Sequence, residues 1–167
     1  DGSDYLLFVK DDTIISAVSE NGAKTETVSK DITPPTVIIL TIGDVNAIVN
    51  GETVTNDVAP MVVNDRTMLP IRFVAEALGA DVLWDGYFQK VSIKSRKTDI
   101  SIKIGEKYAS VTEKIALYNQ PTEEVELDSP AFVENDRTYL PLRFVAEKLG
   151  ADVQWDDATQ TITITKK

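Results

Sequence analysis

The chain has 167 residues, 43% of them hydrophobic and 26% charged, the balance of a globular protein with room for one medium domain or two small ones. Its formal charge of -10 argues against a nucleic-acid partner, which would require clustered Lys and Arg. With no Cys and no His, it excludes disulfides, thiolate metal sites, a His-based triad and imidazole-bound copper or zinc, leaving only carboxylate sites for a hard cation. Residues 1–35 come first and read as strands and turns. "YLLFV" and "TIISAV" are short apolar runs, and Asn21-Gly22 before "AKTETV" is a type I′ hairpin signal. Pro34-Pro35 then stops regular pairing and predicts a boundary.

Beyond the boundary the chain is written twice. "TVIILTIGDVNAIV" from Thr36 matches "TDISIKIGEKYASV" from Thr98, and "NDRTMLPIRFVAEALGADVLWD" over 64–85 returns as "NDRTYLPLRFVAEKLGADVQWD" over 135–156. Each copy closes on alternating residues, "VSIKS" and "TITIT". The copies predict units at 36–97 and 98–167. "VSIKSRKTDISIKI" reads as a hairpin across 96–99, which would let the units share one sheet and exchange strands.

Within a unit, "ISIKI" puts Ile100, Ile102 and Ile104 on one face, a half-buried strand. "VIILTI" is apolar on both faces and is expected to be covered on both. "PIRFVAEALG" predicts a helix of two to three turns, with Pro70 at its first position and Gly79 at the left-handed position past its end. Ile71, Val74, Ala75 and Leu78 form its apolar stripe, which must be held by a sheet because so short a helix is unstable alone. The second copy repeats this with Pro141, Leu142, Val145, Ala146, Leu149 and Gly150. The Asp after each Trp suits a turn. The expected class is α+β, an antiparallel sheet packed on a short helix, the unit repeated twice behind an N-terminal β-hairpin segment.

Arg72 and Glu76, like Arg143 and Glu147, carry the wrong signs for the helix dipole, so local helix stability does not explain them. Arg66 and Arg137 in the "NDRT" turns are expected to reach Glu76 and Glu147 as structural ion pairs, with a ligand-binding role for the arginines as the competing reading. Trp84, Tyr87 and Phe88 form a candidate binding platform, since flat aromatics suit sugar stacking or a protein partner; the competing reading is packing. Asp11-Asp12 and Asp156-Asp157 are adjacent carboxylates in turns, a poor arrangement for glycoside hydrolysis, and no run has EF-hand spacing. "TEEVELD" reads as a solvated loop.

The motif NDRTxLPxRFVAExLGADVxWD, followed by "QTITI" and preceded by IGxxxAxV, resembles the copper amine oxidase-like N-terminal domain, or stalk domain, in two tandem copies from Thr36 onward. The resemblance implies a small antiparallel sheet around a helix, separate from any catalytic core. It also implies a module of secreted and surface proteins of Gram-positive bacteria. Without His, and without the Asn-Tyr pair from which the oxidase makes its cofactor, the chain is not expected to be an enzyme or to hold a cofactor or metal. No apolar run is long enough to span a membrane and none reads as a signal peptide, so a secreted protein would be represented by its mature part. The expected role is to space, present or dock other domains at a cell surface, as a monomer whose partner is a protein or a cell-wall glycan. The alternative is a carbohydrate-binding module using the aromatic turn.

Overall fold

The computed structural model describes residues 5–10, 13–19, 25–26, 34–114 and 121–167. The chain divides into two compact units, Asp1–Pro34 and Pro35–Lys167. In the first, β1 (Tyr5–Lys10), β2 (Thr13–Ser19) and β3 (Thr25–Glu26) form an antiparallel sheet in the order β1-β2-β3. The Asn21-Gly22 turn and the Asp11-Asp12 pair lie outside the described residues.

The second unit holds both copies of the repeat. The first copy supplies β4 (Thr36–Thr41), β5 (Asn46–Val49), β6 (Glu52–Thr55), β7 (Met61–Val63), β8 (Arg66–Pro70), α1 (Arg72–Ala77), β9 (Asp81–Asp85) and β10 (Lys90–Lys94). The second supplies β11 (Thr98–Lys103), β12 (Tyr108–Glu113), β13 (Thr122–Glu126), β14 (Phe132–Glu134), β15 (Arg137–Pro141), α2 (Leu142–Lys148), β16 (Asp152–Asp156) and β17 (Thr161–Lys166). Among the described residues all strand pairings are antiparallel and the two helices are short, so the class is α+β.

Local chemistry accounts for these elements. Asn50-Gly51, Asn64-Asp65 and Asn135-Asp136 are each a pair of residues at positive φ, the conformation of two-residue type I′ hairpins, which Asn, Asp and Gly tolerate best. Each helix ends in a Schellman motif. Gly79 N–H donates to Glu76 O and Ala80 N–H to Ala75 O, both at 2.9 Å, and Gly150 and Ala151 do the same toward Glu147 and Ala146. The helix starts differ from expectation. Pro70 is the last residue of β8 and α1 begins after Ile71, while Pro141 is the N-cap of α2 at ψ 111°. The cause is pairing: Pro70 sits opposite Tyr139 and Pro141 opposite Met68, which holds both prolines extended.

The copies are interlocked. One five-stranded sheet runs β13-β12-β11-β10-β9 and the other β16-β17-β4-β5-β6, so each joins two strands of one copy to three of the other. The registers agree. Val91 pairs with Ile102 and Ile93 with Ile100, as Ile162 pairs with Leu40 and Ile164 with Ile38. A third sheet, β14-β15-β8-β7, joins the copies at its centre, where Leu140 pairs with Leu69, the same position in each. All these side chains are buried, and with Val74, Ala75, Val145 and Ala146 of the helices they make one core. Burying each Ile or Leu contributes about 1.5–3 kcal/mol, so much of the core's stabilisation sits on the seams between copies.

Two expectations need correction. β4 is not equally covered on its two faces: Ile38 and Leu40 are buried, whereas Val37 and Ile39 are only half-buried, the alternation of a strand with one core face. "TEEVELD" is not a loop. Its first five residues are β13, an edge strand on β12. Val125 packs toward the core and Leu127 is buried, while the exposed glutamates charge the edge against further pairing.

Candidate functional site

β9 and β10 form a hairpin whose tip carries the aromatic residues. Lys90 pairs with Asp85, so 86–89 is the turn. Asp85 Oδ1 accepts the N–H groups of Tyr87 and Phe88, both at 3.0 Å, and Gln89 Nε2 donates to Gly86 O at 2.8 Å. The turn is thus tied down by its own polar residues and leaves the rings outside. Tyr87 is 89% exposed and Phe88 58% exposed. They meet edge-on at 4.9 Å, and Lys90 Nζ lies 5.8 Å from the Phe88 ring. The second copy has the same turn without aromatics. Asp156 Oδ1 accepts the N–H of Ala158, and Gln160 Nε2 donates to Asp157 O at 2.9 Å and to Asp157 Oδ1 at 3.1 Å, so these carboxylates serve the turn.

The ring contact at the turn is between Tyr87 and Phe88, while Trp84 lies beside Gly86 on the strand side. Trp84 and Trp155 each lie on the strand before the turn, 42% and 38% exposed, on the rim of a cleft. The first cleft, of about 760 Å³, is lined by Trp84, Arg72, Phe73 and Gln89 of the first copy and by Arg137 of the second. The other, of about 500 Å³, is lined by Trp155, Arg143, Phe144 and Gln160 of the second copy and by Arg66 of the first. Every residue lining the second cleft except Asp157 has its counterpart in the first. Each cleft is therefore assembled from both copies, as the strand exchange dictates.

The arginines of the "NDRT" turns are paired, but with other partners than expected. Arg137 Nη2 donates to Asp57 Oδ2 at 2.8 Å, and Arg66 Nε lies 3.3 Å from Asp128 Oδ2. Glu76 and Glu147 instead meet Arg72 and Arg143 on their own helices, each at 3.6 Å. The reason is that each "NDRT" turn is carried by the central β8–β15 pairing toward the other copy's connection, not toward its own helix. Arg143 Nη1 also donates to Val153 O at 3.2 Å, tying α2 to β16. Sequence reasoning missed Asp57 and Asp128. The available signal was slight: each copy has an Asp two or three residues before a Pro ahead of its short strand.

Among the described residues no group of three or more Asp, Glu, His or Cys comes together where a metal could be held. No described helix is long and apolar enough to cross a membrane.

The family model for the copper amine oxidase N-terminal domain matches the chain twice, over residues 17–93 and 48–164. The first match begins well before Thr36 and so takes in part of the N-terminal segment that the motif resemblance leaves out. Comparison with curated proteins and with solved structures returns no match.

Proposed function

The chain belongs to the copper amine oxidase N-terminal domain family, and from that membership we propose that it is a non-catalytic extracellular module that spaces, presents or docks other domains at a bacterial cell surface. In the oxidases this N-terminal domain is non-catalytic. Secretion to a Gram-positive surface is part of the proposal.

One observation carries the reading and narrows it. The doubled module is entered at Thr36 and left at Lys166, and these residues pair across β4 and β17. Paired strands lie about 4.8 Å apart, so Thr36 and Lys166 lie side by side at one end of the sheet. A module whose first and last strands are paired neighbours is closed on itself, which favours presenting and docking over in-line spacing.

A second reading, recognition of a wall glycan, is supported by the aromatic turn, where Tyr87 and Phe88 stay exposed although their counterparts are Ala158 and Thr159. The test is binding of the intact chain to purified Gram-positive cell walls and a glycan panel, with Tyr87→Ala/Phe88→Ala as control. Saturable binding lost in the folded double variant makes this a recognition module with its site at the turn. Absence of binding removes the glycan reading and leaves presentation of other domains. Turnover of an amine or a glycoside by the purified chain would overturn the non-catalytic reading itself.

A further inference from the structure

We propose that the two clefts are equivalent and independent binding sites for the sugar rings of a neutral glycan, one site at Trp84 and the other at Trp155. This deepens the glycan reading and rests on it, but moves the site from the exposed turn to the clefts.

The first ground is repetition that folding explains only in part. The turns beside the clefts have diverged, "GYF" in one copy and "DAT" in the other. Between them, Trp84 and Trp155, Arg72 and Arg143, and Gln89 and Gln160 stay identical and line equivalent walls. The glutamines close their turns and Arg143 ties α2 to β16, but the fold gives no such task to the tryptophans. Both tryptophans keep roughly two-fifths of their surface in solvent. Arg72 and Arg143 each meet a Glu on their own helix at 3.6 Å, in the weaker Arg-before-Glu order, with more than half of each side chain exposed.

The second ground is chemistry. An indole face offers a flat apolar surface for the C–H face of a pyranose ring. Around it stand Arg, which offers a planar fork of N–H donors, and Gln, whose Nε2 serves the turn and whose Oε1 can accept from a hydroxyl. Both volumes fall within the range of small-molecule sites, large enough for a short oligosaccharide.

The third ground is charge. The first cleft sets Arg72 and Arg137 against Asp57, Glu76 and Asp136, and the second sets Arg66 and Arg143 against Asp65, Asp128 and Asp157. Each has an excess of carboxylate, in a chain of net charge -10. A polyanion is repelled, and an uncharged, hydroxyl-rich ligand is not. A polymer of such rings presents the same group repeatedly, and two equal sites on one body convert that repetition into avidity.

The experiment is calorimetric titration of the intact chain with cellohexaose and chitohexaose, alongside binding to purified cell walls. The expected result is two equivalents of a hexasaccharide per chain. Trp84→Ala should halve the stoichiometry or weaken one site about tenfold, and Trp84→Ala/Trp155→Ala should remove binding. Arg72→Ala, which touches only an exposed pair and should leave melting unchanged, should weaken the Trp84 site. Tyr87→Ala/Phe88→Ala should leave hexasaccharide binding intact. Hexasaccharide binding that survives the tryptophan and arginine variants but is lost at the turn overturns the clefts and keeps the glycan reading. Wall binding without hexasaccharide binding also overturns the clefts. No binding to either overturns both.

Discussion

Tyr139 shows what one residue contributes through its surroundings. Its ring stacks on Phe132, centroids 5.0 Å apart and planes 7° from parallel, and it is buried like its counterpart Met68. Burial is the main cause that raises the phenol's pKa; Glu134 pushes the same way and Arg137 opposes. Because the folded value is raised, the unfolded chain releases this proton first as the pH passes about 10. The associated stability is complete below that pH and is lost as the pH rises through the folded value. Denaturant unfolding of the intact chain at about pH 9 and about pH 11 should show a loss that Tyr139→Phe partly abolishes. An equal loss in the variant would assign the effect to other groups. At this scale local chemistry was legible and distant chemistry was not. Asp85 was readable as a turn residue because its acceptors' partners, the N–H groups of Tyr87 and Phe88, are its near neighbours in the chain. The partner of Arg66 was not, because Asp128 belongs to the other copy.

Helix ends are the most legible elements. Gly79 and Gly150 stand at φ 79° and 82°, and a Cβ at either would meet no neighbouring atom within 4 Å. The requirement is therefore conformational, not steric. Gly79→Ala should destabilise the fold by about 1 kcal/mol, and Gly79→Asn by less, since Asn tolerates this region better. A thermal melt in which the two variants match the parent would show that α1 does not depend on its Schellman turn. The last strand supports the same helix end, for Lys166 Nζ donates to Leu78 O at 2.6 Å. Strand edges are harder to read. β13 is a strand with four exposed residues out of five, and its sequence pattern could not show that the outer edge of a sheet was waiting for it.

The whole molecule depends on the exchange of strands. A chain of residues 36–97 alone would keep β4 and β10 but lose β17 and β11, the partners that cover their open edges. It would also lose the Leu140 contact at Leu69, where truncating a buried Leu alone costs about 2–5 kcal/mol. Such a fragment should not fold as a monomer, and the second unit of the intact chain should unfold in one transition. A cooperative melt from a monomeric 36–97 fragment, read by circular dichroism and sedimentation, would refute this.

What the sequence determined by itself was the repeat, the class, the turns and the helix stripe, because each is decided by periodicity or by the φ preference of residues adjacent in the chain. What only the tertiary structure decided was which copy each strand completes, which carboxylate each arginine meets, and the pair of clefts that result. Identical copies carry identical edges, so sequence periodicity cannot say whether an edge pairs within its own copy or with the other. The β10–β11 turn is too short to let the copies separate, and closing β17 on β4 buries the remaining apolar edge.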